Sequence, residues 1–163
     1  MSIRFEPIIK EHLNKVTSIY NYYVENSTAT FHLQKVTEQE MEQTLCLGHP
    51  TYKSYLIYYN NRIAGFCYLG QFRKKEAYDI SAEVTLYIKP EFIGKKIGIE
   101  VLSFMEKTAK ELGLKNLVGV ITSENTGSLK LFERCGYFKC GHLKNIGIKF
   151  GRALDVISYQ KEI

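Results

Sequence analysis

Apolar residues recur with a helical period in some stretches of the chain and in strand-like runs in others. Between residues 12 and 24 the apolar positions form a helical stripe, which predicts an amphipathic helix. The β-rich segment before it, residues 3–8, predicts a first strand. Thr37, with acids one and three residues later, is typical of a helix N-terminus, and we expect that helix to run to about Leu47.

Two β-rich runs and one alternating run follow. Residues 54–59 and 62–69 flank Asn60 and Asn61, and because two Asn residues tolerate positive φ well, a tight hairpin is predicted. Residues 79–88 alternate in character, which predicts a strand with two different faces. One face comprises Ile80, Ala82, Val84, Leu86 and Ile88, and the other Ser81, Glu83, Thr85 and Tyr87.

The second half of the chain contains a long amphipathic pattern and three further β segments. Apolar residues at helical spacing over 97–112 predict a helix that ends at Gly113. A shorter helix is predicted over 125–135, ended by Gly136. The remaining predicted strands are 116–122, 137–141 and 153–160. Because no internal repeat or linker interrupts the chain, we expect residues 1–163 to form a single α+β (mixed α/β) domain.

Composition fits a globular domain of ordinary size. The chain has 163 residues, of which 45% are hydrophobic and 24% charged, and this excludes disordered, collagen-like and disulfide-dense classes. No apolar run approaches the roughly 18 residues of a membrane span. The N-terminal residues lack the apolar segment of a signal peptide. We therefore expect a cytoplasmic protein that does not act in a membrane.

The net charge of +5 arises in the second half of the chain. Residues 89–163 carry 13 Lys and Arg against 8 Asp and Glu, whereas residues 1–88 are balanced. A basic half is consistent with an anionic ligand or simply with a solvated surface. The basic residues are spread out and form no long run, so we expect no nucleic-acid partner.

The four cysteines do not form a metal motif. Cys46, Cys67, Cys135 and Cys140 include no Cys-x-x-Cys pair, and no histidine lies at zinc-finger spacing from them. Free thiols in apolar stretches behave as small hydrophobic groups. We therefore expect buried structural thiols and no metal site.

A glycine-bearing turn after Pro90 is a candidate site for an anionic ligand. Residues 93–98 (Ile-Gly-Lys-Lys-Ile-Gly) lie between a predicted strand and a predicted helix. Backbone N–H groups at a helix N-terminus bind phosphate oxygens, and two lysines add positive charge. The glycine spacing matches neither the Walker pattern nor the dinucleotide fingerprint. By itself the segment fits either a phosphate-binding turn or an ordinary helix start with solvated lysines.

Glu83 is the one acid in the middle of the most regular predicted strand. Strands disfavour glutamate, and desolvating its charge is costly. From the residues alone, two interpretations remain open. Glu83 is either a surface carboxylate, exposed or paired with a cation such as Arg73, or a carboxylate retained for chemistry.

Four groups of segments carry a family resemblance when they are considered together. They are 19–21 with Ser-Thr-Ala-Thr-Phe at 27–31, 72–73 with 77–78, 82–84 through Tyr87 to the turn, and Glu-Asn-Thr-Gly-Ser at 124–128 with 132–137, 141–142 and Lys-Phe-Gly-Arg at 149–152. In this order they resemble the GNAT superfamily of N-acetyltransferases, and within it the phosphinothricin acetyltransferase-like group. The resemblance spans nearly the whole chain.

This resemblance implies a twisted mixed sheet, flanked by helices, that splays open around acetyl-CoA. The pyrophosphate would lie on the turn at 93–98, and the pantetheine arm along 84–87, pairing with the backbone like an extra strand. Asn125 and Ser128, which also fit a helix N-terminus, would contact the pantetheine and CoA. The implied cofactor-binding residues are Val84, Thr85, Leu86, Tyr87, Ile93, Gly94, Lys95, Lys96, Ile97, Gly98, Asn125 and Ser128.

Three residues depart from the family pattern. Ile93 stands where the family has Arg or Gln, and Lys96 stands where it has a first Gly, while Gly98 is kept. Phe132 occupies a position where many relatives carry a tyrosine that protonates the leaving thiolate. Because a thiol has a pKa of only ~8.5, its thiolate is a tolerable leaving group, and we expect turnover to persist.

The resemblance also implies the activity and its residues. Glu83 matches the general base, and Phe31, Arg73 and Tyr78 match positions that line the acceptor pocket. The implied reaction is acetyl transfer from acetyl-CoA to the α-amino group of a small amino-acid-like acceptor such as phosphinothricin, methionine sulfoximine or methionine sulfone, in a homodimer. Three alternatives remain: a protein or peptide amine as acceptor, a polyamine as acceptor, or a non-catalytic acyl-CoA-binding module.

Overall fold

Seven strands form one mixed sheet in a computed structural model that describes residues 2–163. The strands are β1 (Ile3–Pro7), β2 (Ser54–Tyr59), β3 (Arg62–Gln71), β4 (Ser81–Ile88), β5 (Asn116–Thr122), β6 (Phe138–Lys149) and β7 (Arg152–Glu162), in the spatial order β1-β2-β3-β4-β5-β7-β6. The helices are α1 (Leu13–Asn26), α2 (Glu38–Leu45), α3 (Ile97–Glu111) and α4 (Thr126–Arg134). The expected mixed fold is thereby confirmed.

Each face of the sheet is covered by its own pair of helices. Alternation along β3 directs Cys67 into one apolar cluster, which contains Met105 of α3, and Phe66 into the other, which contains Val16 of α1 and Met41 of α2. All five side chains are almost fully buried. The two clusters pack against the sheet from both faces, and residues 83–88 of β4 border a cavity.

Among the strand pairings within residues 2–163, only that of β4 with β5 is parallel, and it is short. Three residue pairs join the two strands, from Ser81–Asn116 to Glu83–Val118. Beyond Glu83, β4 remains paired with β3 up to Ile88, and β5 remains paired with β7 up to Thr122. The two strands therefore separate while each keeps its outer neighbour, and this is the expected splayed sheet.

The local predictions hold where the sequence signal was strong. Asn60 and Asn61 have φ values of 47° and 63° at the turn between β2 and β3. Thr37 caps α2 by accepting a hydrogen bond from the N–H of Glu40 at 3.2 Å, and Glu40 bonds back to the Thr37 N–H. These short-range devices need no tertiary context.

Three expectations need correction. The strand predicted at 137–141 runs from Phe138 to Lys149, because the residues between the two last predicted strands also pair with β7 and form an exposed edge strand without an alternating pattern. Ile80 does not join the buried face of β4, since it precedes the strand and is 52% exposed. Of the four cysteines, only Cys67 is buried, and Cys140 on the edge strand is exposed.

Candidate active site

A cavity of about 810 Å³ lies where β4 and β5 separate. One wall is Val84 to Ile88 of β4, and the other is formed by Val120, Ile121 and Thr122 of β5. The start of α3, the start of α4 and the loop after α1 close its remaining sides. The part of β4 that borders this cavity has no strand partner on its β5 side. Its backbone is thus available to a ligand that binds like a strand.

The turn before α3 forms one end of the cavity. Gly94 and Lys96 have φ values of 84° and 61°, and the helix begins at Ile97. All residues of the turn line the cavity except Lys95, whose Nζ lies 5.8 Å from the ring centre of Tyr59 on β2. A side chain in the left-handed region is strained, so Lys96 carries a backbone conformation that favours glycine.

The first turn of α3 packs against the middle of α4 beside this end. A Cβ atom on Gly98 would lie 2.7 Å from Cδ2 of Leu131, so the absence of a side chain at Gly98 permits the close approach of the two helices. Asn125 caps α4 by accepting a hydrogen bond from the N–H of Ser128 at 3.2 Å. Asn125 and Ser128 also line the cavity, so the capping role and a ligand-binding role are compatible.

The charged side chains that line the cavity within residues 2–163 are mostly basic. Lys96, Lys130 and Arg134 are the basic residues that line it within residues 2–163, and Glu83 is the only acidic one there. Lys130 and Arg134 were missed by sequence reasoning, although their i, i+4 spacing on α4 places both on one helix face. The three cations and the N-terminus of α3 that line the cavity suit an anionic ligand such as a phosphate.

Glu83 occupies the point at which the sheet opens. It pairs with Gly70 on β3 and with Val118 on β5, and the next residue of β4 has no partner on β5. Burial raises the pKa of Glu83 above the usual glutamate value. No Lys, Arg or His nitrogen of residues 2–163 lies within 4.0 Å of its carboxylate. The interpretation of Glu83 as a partner of Arg73 is therefore wrong.

Tyrosines form the surroundings of Glu83. Tyr20, Tyr23, Tyr68 and Tyr87 line the cavity, and Tyr87 makes an edge contact with Tyr20 at 5.2 Å between ring centres. Burial raises the pKa of Tyr68, and the nearby charge of Glu83 adds to the rise. Sequence reasoning missed Tyr68, because it appears only as one apolar residue of a buried strand. An aromatic environment with one carboxylate suits a base that exchanges a proton.

The loop after α1 closes the side of the cavity opposite α3 and α4. We call residues 28–31 the strap, and all four line the cavity. Phe31 lies over the backbone of β6, where a Cβ on Gly147 would be 2.6 Å from Cε2 of the Phe31 ring. The expected acceptor residue Phe31 is thus placed at the cavity, 37% exposed.

Arg73 and Tyr78 lie apart from the cavity, in the connection between β3 and β4. The guanidinium carbon of Arg73 is 5.6 Å from the ring centre of Tyr78 and 5.2 Å from that of Phe72. Arg73 is exposed, and neither it nor Tyr78 lines the cavity. Their contact with an acceptor stays a prediction.

Phe132 is a buried wall of the cavity. It is 3% exposed, and a Cβ on Gly119 would lie 2.3 Å from its ring. Tyr137 stacks edge-on against it, with ring centres 4.8 Å apart. Phe132 therefore fills space against β5 and offers no proton.

Residues 2–163 contain neither a candidate metal-binding cluster nor a candidate membrane-spanning helix. No group of three or more His, Cys, Asp or Glu side chains there could hold a metal ion. None of the helices in this range is long and apolar enough to cross a membrane.

Comparisons with known proteins agree with this geometry. Residues 8–157 match the model of the acetyltransferase (GNAT) domain family. The chain is 28% identical to a phosphinothricin N-acetyltransferase of Streptomyces coelicolor, over 99% of this chain and 96% of that protein. It is also 28% identical to an L-methionine sulfoximine/L-methionine sulfone acetyltransferase of Salmonella typhimurium, over 100% of this chain and 95% of that protein.

Solved structures give the same match in three dimensions. A phosphinothricin acetyltransferase from Sinorhizobium meliloti in complex with acetyl-CoA superposes with a TM-score of 0.94 and 27% identity, covering 100% of this chain and 89% of that one. A ribosomal-protein-alanine N-acetyltransferase from Brucella melitensis superposes with a TM-score of 0.91 and 28% identity, covering 100% of both chains.

Proposed function

This chain belongs to the GNAT family of N-acetyltransferases, and from that premise we propose that it transfers acetyl from acetyl-CoA to the α-amino group of a small amino-acid-like acceptor. The relatives named for phosphinothricin and for methionine sulfoximine and sulfone support this acceptor class. The observation that carries the proposal is Glu83, the one carboxylate of residues 2–163 that lines the cavity, at the point where the sheet opens and in a cavity whose other charged lining residues are basic.

The cavity fits acetyl-CoA, which supplies the acetyl group as a thioester. The turn at 93–98, with Lys130 and Arg134, would hold the phosphates, because the N-terminus of α3 and three cations line this cavity. The unpaired edge of β4 from Val84 to Tyr87 would hold the pantetheine arm. Lys95 points away from the cavity, so we assign it no contact.

Glu83 would act on the amine of the acceptor. An amino acid arrives mostly as an ammonium ion, and its nitrogen must lose a proton before it attacks a carbonyl carbon. The ammonium first gives one proton to Glu83, which later returns it to solvent. The neutral amine then forms the nitrogen–carbon bond, the carbon–sulfur bond of the thioester breaks, and the amide nitrogen releases a second proton to water as the thiolate leaves. The raised pKa of Glu83 brings it closer to working pH and makes it a better base.

The leaving thiolate has no dedicated acid in this proposal. Phe132 stands against Gly119 and cannot donate a proton. A thiolate with a conjugate-acid pKa of ~8.5 takes its proton from water without assistance. Turnover then depends mainly on the base.

We further propose that Arg73 recognises the acidic group of the acceptor, with Phe31 and Tyr78 packing on its aliphatic part. Arg73→Ala should raise the acceptor KM by about fivefold or less and leave that of acetyl-CoA nearly unchanged, as expected for loss of a charged pair at an exposed guanidinium. Lys74→Ala, at the neighbouring exposed cation, is the matched control. Unchanged acceptor kinetics in Arg73→Ala would show that Arg73 is a solvated loop residue that does not bind the acceptor.

A second candidate function is acetylation of the N-terminal amine of a protein. It is favoured by the similarity to the ribosomal-protein-alanine N-acetyltransferase structure. Both acceptor classes present an α-amino group, and they differ in whether a free carboxylate or a peptide follows it. The residues that bind acetyl-CoA would be the same.

One assay distinguishes these candidates. Release of CoA is measured with a panel of free amino acids, methionine sulfoximine, methionine sulfone, phosphinothricin, an alanine-initiated peptide and spermidine. We expect turnover with the small amino-acid-like acceptors. Turnover with the peptide alone would overturn the proposed acceptor class. A rise in melting temperature with acetyl-CoA but no turnover would leave an acyl-CoA-binding module.

The assembly and compartment are also proposals. We propose a homodimer, because β6 is an edge strand that exposes Leu143, Ile146 and Ile148, and such apolar surface favours association. We propose a cytoplasmic location, since all four cysteines are free thiols, as in a reducing compartment. Light scattering on the purified protein measures the first directly.

A further inference from the structure

We propose that the turn between β6 and β7 is a two-armed clamp that fixes the strap, and that Lys149 and Arg152, which flank this turn, are positioning residues for the acceptor. The inference deepens the proposed function and rests on it for the identity of the acceptor. It also assigns a role to the Lys-Phe-Gly-Arg segment at 149–152.

The turn presents both cations side by side. Phe150 and Gly151 have φ values of 52° and 72°, and Lys149 pairs directly with Arg152 across the hairpin. A two-residue turn with both central φ values positive gives a tight and well-defined connection. The two side chains therefore start from fixed and adjacent backbone positions.

Lys149 is the direct arm of the clamp. It is 3% exposed, and its Nζ donates a 2.8 Å hydrogen bond to the backbone oxygen of Thr30 in the strap. No carboxylate of residues 2–163 lies within 4.0 Å of Nζ. Burying an ammonium without an anion is costly. Within residues 2–163, the one hydrogen bond of Nζ goes to the strap. Lys149 is therefore buried against the strap and holds the backbone of Thr30 in place.

Arg152 is the indirect arm. Its Nε and Nη2 each donate a 2.8 Å hydrogen bond to the carboxylate of Glu124, which follows β5. The same carboxylate accepts a 3.1 Å hydrogen bond from Oγ1 of Thr28 in the strap. This pair is about half exposed, so solvent weakens it and it should contribute less than the Lys149 arm.

The other side of the strap is fixed from the tyrosine cluster. The hydroxyls of Tyr20 and Thr30 lie 2.5 Å apart, and the Tyr87 hydroxyl lies 3.5 Å from the backbone oxygen of Ala29. The strap thus bridges the two halves of the opened sheet, with α1 and β4 on one side and the β6–β7 hairpin on the other. Release of the hairpin side would move Thr30 and Phe31, which line the cavity.

The clamp contacts none of the residues proposed to hold the phosphates of acetyl-CoA. Its loss should therefore act on the acceptor and spare the cofactor, whereas a general loss of stability would affect both. This difference separates a positioning role from a merely structural one.

The test compares Lys149→Met, which keeps the length and removes the charge, with Arg152→Met and the control Lys144→Met, an exposed lysine of the same strand. Hydrogen exchange of the strap amides and KM for methionine sulfone and acetyl-CoA are measured. In Lys149→Met we expect roughly tenfold faster exchange of the strap and a roughly tenfold higher acceptor KM, with the acetyl-CoA KM within about twofold. Arg152→Met should show a smaller change of the same kind, and Lys144→Met none.

A second variant guards against a folding failure of Lys149→Met. In Thr28→Val the hydroxyl that donates to the Glu124 carboxylate is lost, while the side chain keeps its size. We expect the same selective rise of acceptor KM in this variant. Unchanged strap exchange, or an equal rise of both KM values, would overturn the clamp. If the wild type acetylates no amino-acid acceptor while the exchange contrast persists, the proposed function fails and the clamp stands.

Discussion

The same two strands behave differently along their length. From Ser81 to Glu83, β4 is paired with β5, and Ala82 and Leu117 are fully buried between them and α3. Beyond Glu83 the strands separate, and their residues face a cavity instead of each other. The joined half is packed as a core, whereas the separated half is open to a ligand.

This difference explains how one sheet combines rigidity with an open site. Glu83 is the last residue of β4 that pairs with β5, and it lines the cavity. The packed core therefore fixes its backbone, while its side chain borders the open part of the sheet. A base in a rigid frame holds its position relative to the reacting atoms, which catalysis requires. The junction is thus the place where a catalytic carboxylate is most useful.

Removal of the carboxylate at the junction should have the largest effect. In Glu83→Gln, turnover at pH 7 should fall by roughly 10²- to 10⁴-fold, the usual contribution of a positioned general base. The affinity for acetyl-CoA, measured by calorimetry, should stay within a few fold, because the cofactor is proposed to be held by the turn at 93–98 and by the backbone of β4, and not by the Glu83 side chain. Glu100→Gln, at an exposed acid of α3, is the control and should be normal.

A tenfold effect on the acetyl-CoA KM is expected at the basic residues of α4 that line the cavity. Lys130→Ala combined with Arg134→Ala should raise the acetyl-CoA KM by roughly tenfold, because charged hydrogen bonds to phosphate are lost. The acceptor KM and kcat should change little. Lys107→Ala, at an exposed lysine of α3 outside the cavity, is the matched control. An unchanged acetyl-CoA KM in the double variant would move the phosphate site away from α4.

The stability of Glu83→Gln should sharpen the contrast between the two halves. Burial raises the pKa of Glu83, so the native state binds its proton more tightly than the unfolded state does. The resulting stabilisation is complete below the usual glutamate pKa and is lost as pH rises through the native value. Glu83→Gln should therefore melt a few degrees higher than the wild type near neutral pH and equally at about pH 4. A lower melting temperature at neutral pH would instead indicate a hidden cationic partner.

The smallest effect is expected at the turn. Lys96→Gly replaces a residue strained in the left-handed region by one that adopts this conformation freely. It should stabilise the protein by about 1 kcal/mol or less, while removing one cation from the cavity. Gly94→Ala is the converse change, since its Cβ would meet no atom within 4 Å and only the backbone strain remains. We expect it to lower the melting temperature by a similar amount. Thermal melts of both variants check the pair.

The sequence predicted best those features that are encoded locally. The Asn60-Asn61 turn and the Thr37 cap follow from the conformational preferences of a few neighbouring residues. The edge strand β6 could not be found in this way, since its exposed residues do not alternate and only its pairing with β7 makes it a strand. Local signals thus gave most of the elements, and tertiary pairing supplied the rest.

The site divides in the same manner. Glu83, the turn and the start of α4 could be identified because they form contiguous motifs that resemble a family. Lys130 and Tyr68 line the cavity only because the fold brings distant segments together. The same is true of the hydrogen bond between Lys149 and Thr30. No single segment signals such a contact. Arg73, taken from the resemblance, lies in an exposed loop outside the cavity, and only acceptor kinetics can test its role.

The ratio of wild-type to Glu83→Gln turnover, followed from pH 7 to about 10, tests the central claim most directly. If Glu83 takes the proton from the ammonium, the ratio is large at pH 7 and shrinks as pH rises, because more acceptor is already a free amine. An α-amino group titrates near 8 at a peptide N-terminus and higher in a free amino acid, whose carboxylate stabilises the ammonium, and the chosen pH range follows this deprotonation. A ratio near one at pH 7, or a large ratio that does not change with pH, would contradict the assignment of Glu83 as the general base.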